Sequence, residues 1–337
     1  MNLVVIRIQV AVKRLNLSKY ILLVVLFFPE LIYGSADTTS FIKHKSKIEV
    51  KPYFVAQKLS LKLEGNNSIA TYEPGLTGAV GVSVFYKFIG LSLGRSVVNK
   101  KMGELKNESE YFDLRLNYAG RRTALDVNFQ WFIGFSLSDF PENFPDSLKS
   151  SIQPNLDLVN YGVNFYYGLN KRMSLQSIYK YNERQLKSSG SVIIGLRQNF
   201  IELSYSSTIF PEELLMGMNT LDGSGIGNQG NQGKFYTIVP VVGYQYNFIK
   251  EKVHFSPFAS IGYGAQYQSY VSESKGNFKG FRKASTVSLN LPLGYNGDNI
   301  YYGVIGRYNQ TISDIQSRGN MNYSLFSVKF FLGIRFK

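Results

Sequence analysis

His254 and Ser256 stand two residues apart in the run Val253 to Pro257. A histidine beside a serine can act as general base and nucleophile, provided a polar partner orients the imidazole. In an extended strand this spacing puts both side chains on one face. Val253, Phe255 and Pro257 fill the opposite face, so the pair belongs to the polar side. A lipid-cleaving site would have to meet lipid, so the expected reading is a rim histidine and an interior serine, with no catalytic residue and no enzyme. The other histidine, His44, lies far off, and there is no cysteine. No metal site is expected from such a donor set, and no cofactor.

Gly225, Gly227 and Gly230 fit the phosphate-cradling spacing G-x-G-x-x-G, but they sit in DGSGIGNQGNQG without a strand–turn–helix context. That stretch reads as an external loop. Glu183, Arg184 and Lys187 precede a Ser-Ser-Gly turn. They read either as a solvated loop tip or as an external ion cluster bridging to lipopolysaccharide phosphates.

The larger chemical signal is a polar face repeated along the chain. Asp113, Arg115, Asp126, Asn128, Gln130, Lys180, Gln245, His254, Arg307, Asn309, Lys329 and Arg335 all fall on it by alternation. Their opposite face is hydrocarbon. From Phe326 to Phe336 the even positions are Phe, Val, Phe, Leu, Ile and Phe, while Ser327, Lys329 and Arg335 lie between them. Leu125, Val127, Phe129, Trp131, Ile133, Phe135 and Leu137 alternate with Asp126, Asn128, Gln130 and Ser136. Phe112 to Tyr118, Val253 to Val271 and Val287 to Tyr295 repeat the pattern. Period two means strand. The repeats outrun the roughly 5–6 residues of soluble strands and suit the roughly 9–11 of a tilted bilayer crossing.

The elements that position these faces are therefore the strands of a closed, antiparallel, all-β transmembrane barrel. Short turns are expected at Lys87-Phe88, Gly120-Arg121, Leu169-Lys171, Ile249-Glu251 and Asn296-Asp298. Long loops are expected near 65–76, 98–108, 138–155, 183–189, 210–233, 271–282 and 313–320. Short turns face the periplasm and long loops the outside. An even count is required, and splitting Gly190–Ser207 near Asn199 gives about 14 strands. Keeping it whole and dropping a weak N-terminal strand gives about 12, the alternative.

Arg7, Lys13, Arg14 and Lys19 precede the apolar run Ile21 to Phe28, and Gly34-Ser35-Ala36 offers small residues for cleavage. This is a secretory leader over 1–36, too short in its apolar core to span a bilayer. A polar lead-in over 37–48 and one barrel domain over 49–337 follow. The 337 residues carry a formal charge of +14, of which the leader holds +3, leaving about +11. The basic residues are dispersed, which points away from nucleic acid. The absence of cysteine excludes a disulfide framework, a thiolate site and a lipid-anchored lipoprotein.

Tyr72-Glu73-Pro74, Gly78 to Gly94, Tyr111 to Arg121, Tyr181 to Gly195, Leu293 to Gly303 and Phe330 to Phe336 together resemble an uncharacterised family of predicted outer-membrane barrels, the domain of unknown function 4421 family. The resemblance implies outer-membrane location and barrel fold and carries over no functional residue. The expected function is a passive pore or solute-binding channel with a polar, mixed-charge lumen. The alternative is a closed envelope-interaction barrel acting through external loops, and the remotest is a lipid hydrolase. Expected partners are outer-membrane lipid and lipopolysaccharide, the barrel-assembly machinery, and a small polar or anionic solute.

Overall fold

In a computed structural model, residues 40–64, 69–87, 89–99, 109–139, 156–204, 232–272, 276–315 and 319–336 are described. The leader expected over 1–36, the G-x-G-x-x-G stretch, and most of the residues expected to form loops near 98–108, 138–155 and 210–233 lie outside them.

The alternating segments form strands β2 (Ile48–Glu64), β4 (Leu76–Tyr86), β5 (Ile89–Asn99), β6 (Glu110–Ala119), β7 (Thr123–Asp139) and β8 (Leu156–Gly168). Strands β10 (Ser189–Ser204), β11 (Gln232–Lys250), β13 (Phe258–Ser272), β14 (Gly276–Asn296), β15 (Ile300–Ile315) and β16 (Gly319–Phe336) follow. Each pairs antiparallel with its neighbours, and β16 pairs back onto β2 from Asn320↔Glu64 to Phe336↔Ile48. That pairing joins the ends of the meander and removes the open edges, so every wall strand finds hydrogen-bond partners on both sides.

The hydrogen-bonded sheet contains fourteen strand segments in twelve staves. Two staves are interrupted. Short β3 (Ile69–Pro74) continues into β4 through Gly75, and it leans across the shorter β5 and β6 to pair with β7. Short β12 (Val253–Phe255) continues into β13 through Ser256-Pro257, and both pair with β11 and β14. The split expected at Asn199 does not occur. β10 runs whole and pairs from Ser189↔Asn247 to Ser204↔Gln232, so the ring closes with twelve staves, the alternative count.

The outward face is the apolar one. Val82, Leu91, Leu114, Val192, Ile261, Val287, Phe326, Phe330, Leu332 and Ile334 are exposed on it. A closed ring with an outward hydrocarbon belt and a polar middle is an outer-membrane β-barrel. Alternation fails inside the run Leu125 to Leu137. Gly134 has φ 79° and the β7–β8 register shifts between Phe132 and Phe135. Phe135 therefore turns inward and is fully buried, not lipid-facing as alternation expects.

Three expected loops are mostly strand, the one near 65–76 being largely β3. β13 and β14 pair up to Ser272↔Gly276, and β15 and β16 up to Ile315↔Gly319. Conversely, the expected short turn at Leu169-Lys171 opens a longer connection from β8 to β10. It contains a one-turn helix α1 (Leu175–Tyr179) and strand β9 (Glu183–Gln185). Strand β1 (Phe41–Lys43) from the lead-in pairs with β9. This plug sits at the end of the barrel that carries the short turns. Glu183, Arg184 and Lys187 therefore lie at that end, not among the long loops.

Candidate functional site

The interior is stacked in three tiers along the barrel axis. At the end of the barrel marked by the pairings Ser272↔Gly276 and Ile315↔Gly319 is an apolar tier. Leu59, Leu61 and Leu63 of β2 meet Tyr72, Phe132, Phe135, Leu156, Leu158, Ile201, Leu203 and Phe235, all almost wholly buried. Large buried side chains point inward at this level, as they do in small closed barrels.

Below it is a polar chamber of about 200 Å³. Its charged lining is Lys51, Arg115, Lys180, Arg197, Arg307 and Lys329 against Asp126. Asn128, Gln130, Asn160, Asn164, Asn199, Asn290 and Asn309 supply amides. Asp113 neutralises one cation, receiving Arg115 Nε at 2.9 and 3.0 Å. Arg197 donates to Asn164 at 3.1 Å, to Thr286 at 3.0 Å and to Ser288, none of them a carboxylate. Among the described residues Lys51, Lys180, Arg197, Arg307 and Lys329 have no ion-pair partner. Gln130 accepts from Asn128 at 3.2 Å and from Asn160 at 3.1 Å, and donates to Tyr111 at 3.1 Å. That network stiffens the wall where the chamber meets the apolar tier.

The lowest tier is the plug. Ser174 caps α1, accepting from Ser177 N at 3.1 Å, and its hydroxyl donates to Glu183. Arg121 pairs with Glu183 at 3.1 Å and lies over the Phe41 ring. Leu175 and Ile178 pack the helix against Ala124, Ile193 and Phe258. Arg335, from the last strand, donates to the carbonyls of Tyr181 and Gly297 and to Asn296 Oδ1 at 2.8 Å, and pairs with Glu49 at 3.5 Å. Tyr181 has φ 70°, an unusual backbone for a bulky residue. Its ring stacks on Tyr301 at 5.0 Å. His44 N donates to Asn182 O at 3.1 Å, and its Nε2 meets Asn296 Oδ1 at 3.2 Å. Burial and nearby Arg335 lower the His44 imidazole to about 4.

Of the twelve residues expected to line the lumen, Arg115, Asp126, Asn128, Gln130, Lys180, Arg307, Asn309 and Lys329 border the chamber. Asp113 is buried behind Arg115, and Gln245 accepts from Tyr179 of α1 at 3.3 Å. His254 and Arg335 belong to the plug's floor, apart from the chamber. Lys180 is not in a strand at all. It is the C-cap of α1 and reaches the chamber from the plug. Lys51 and Arg197 escaped the sequence list, although each sits on the buried parity of its strand, beside Glu49 and Tyr53, and Ser191 and Ile193.

His254 and Ser256 do come together, Nδ1 to Oγ at 2.9 Å. The serine hydroxyl donates to Asn247 Oδ1 at 2.5 Å, so its proton is committed to an amide and not to the imidazole. Both residues are buried inside the wall and below the chamber. Nucleophilic attack on lipid needs access from outside, which this placement does not provide.

No curated protein matches the chain. Similar solved structures include the outer-membrane protease OmpT from Escherichia coli, at 10% identity and a TM-score of 0.41, covering 90% of this chain and 100% of that one. The translocator domain of the autotransporter NalP from Neisseria meningitidis has 12% identity and a TM-score of 0.39, with 86% and 89% covered. The toluene transporter TodX of P. putida has 8% identity and a TM-score of 0.30, with 86% and 90% covered. At this distance none lends the chain an activity. The family described as Domain of unknown function (DUF4421) matches residues 35–336, and the chain belongs to it.

Proposed function

We propose that this protein is a non-enzymatic, solute-binding barrel that takes a small anionic solute into its central chamber. The observation that carries the reading is the charge balance of the lining: with Arg115 neutralised by Asp113, five cations without an ion-pair partner among the described residues face one lining carboxylate, Asp126. In a water-poor interior such an excess attracts anions more strongly than at a surface. The apolar tier above and the plug below describe a closed state, so the reading favours a gated binding barrel over a permanently open pore.

A second reading, an envelope barrel that works through its external loops, is favoured by the same closure. Thermal unfolding of the refolded protein in sodium salts of matched ionic strength separates the two. Stabilisation by small oxyanions beyond that given by chloride supports the anion chamber. An identical response to all salts favours the loop-based role. Lipid, lipopolysaccharide and the assembly machinery remain the proposed envelope partners of the barrel wall and the folding chain.

A further inference from the structure

Three ammonium groups border the lower chamber from elements that reach it separately. Lys51 comes from β2, Lys329 from β16, and Lys180 from the plug. Lys51 Nζ and Lys180 Nζ share one aromatic ring, lying 4.5 and 5.7 Å from the centre of Phe85. Lys51 Nζ is also 5.1 Å from the Phe331 ring, and Lys329 Nζ sits 3.3 Å over Tyr53. Lys180 is 1% exposed and its Nζ has no hydrogen-bond partner, while Lys51 is 5% exposed.

Aromatic faces offset only part of the cost of desolvating a buried ammonium. The carboxylate whose charge acts on both Lys51 and Lys180 is Glu49. It is already held by Arg335 at 3.5 Å. Like charges gathered without counter-ions need negative charge from elsewhere. A halide would leave most of that charge uncompensated. A phosphate group brings up to two negative charges and several strong acceptor oxygens. The chamber's volume of about 200 Å³ admits such a group without lipid tails.

We infer that Lys51, Lys180 and Lys329 form a subsite for a phosphoryl oxyanion that bridges the barrel wall and the plug. The inference rests on the chamber being an anion site, and it adds the ligand class and a consequence. Because Lys180 is carried by the plug, an oxyanion there fastens the plug to β2 and β16. Burial pulls the Lys180 ammonium down to about 7, with Glu49 opposing and Lys51 reinforcing the shift. A bound oxyanion therefore holds that proton on.

The test is equilibrium unfolding of the refolded full chain in detergent micelles at pH 6.5. Inorganic phosphate is titrated against sodium chloride of equal ionic strength, and a parallel arm uses water-soluble dihexanoylphosphatidic acid. The expected result is that phosphate raises the wild-type midpoint saturably and the short-chain lipid does not. K180M is expected to be at least as stable as wild type without phosphate and to bind phosphate at least tenfold more weakly, while K180R keeps most of the response. A merely structural lysine would not separate the two readouts in this way. Should K180M not refold, K51M is read by the same titration. Equal phosphate affinity in wild type and variant overturns the subsite and leaves the anion chamber standing. A wild type indifferent to every oxyanion overturns both. A response to the lipid alone overturns the enclosed site in favour of a headgroup bound from outside.

Discussion

The apolar tier and the chamber beneath it are built by the same strands, yet they hold opposite chemistry. On β2 the inward residues run Glu49, Lys51 and Tyr53, then Val55 and Gln57, then Leu59, Leu61 and Leu63. On β10 they run from Arg197 to Ile201 and Leu203. On β16 they run from Met321 and Tyr323 through Ser327 to Lys329 and Arg335. A strict period of two decides which side chains face inward, but not whether the inside is wet. One tier excludes water by packing and the other retains charge.

The largest expected effect separates the tiers by stability. Phe132→Ala removes a fully buried ring from the apolar tier and should cost about 3–5 kcal/mol in equilibrium unfolding. Arg197→Met, in the chamber, replaces an unpaired buried guanidinium with hydrocarbon and should change stability by less than about 1 kcal/mol or raise it. Equal losses at the two sites would erase the distinction.

Next in size is an effect on conductance. Deleting 173–186 removes the plug but leaves the apolar tier, so that variant should stay silent in a planar bilayer. Adding Leu61→Ser and Leu158→Ser should wet the tier and give steady current steps. Steady current from the plug deletion alone would show that the apolar tier is no seal.

The pH response is smaller. Lys180 titrates at about 7 in the folded barrel, well below an unfolded lysine near 10.4. Between these values the unfolded chain binds more protons, so stability should rise with pH across that window. Below about 7 both states are protonated and the burial cost is felt in full. K180M should flatten the slope in pH-dependent unfolding.

The smallest effect concerns the lead-in. His44 stays neutral in the plug down to about 4, against an ordinary histidine value near 6.5. As pH falls through that window the released segment takes up a proton that the docked one refuses. Docking should weaken, and cleavage near residues 37–47 by an acid protease should speed up. His44→Gln should make the cleavage rate independent of pH there.

The wall was legible because its pattern is physical. One face must meet lipid, and Phe326 to Phe336 can do so only by alternating. What the alternation hides are its own interruptions. Gly134 turns Phe135 inward through a register shift, and nothing in the apolar run Trp131 to Leu137 marks the flip except the glycine. Gly75 and Ser256-Pro257 bend staves that sequence reads as turns or as continuous strand. The plug was invisible for another reason. Five residues of helix carry too little periodicity, and its polar groups are satisfied by partners as remote as Arg121 and Arg335. Lys180 was picked out by the parity of a strand it does not belong to. Lys51 and Arg197 have the right parity, but their stretches of sequence carry polar residues on both faces and show the alternation less clearly.

Single-channel recording of the refolded wild-type protein in a planar bilayer tests the closed, two-tier lumen most directly. Insertion is verified independently by heat-modifiable migration. Silence, or rare brief openings, is the expected result. Steady open steps from the unaltered protein would contradict it, since they require a continuous water path through the leucine and phenylalanine tier.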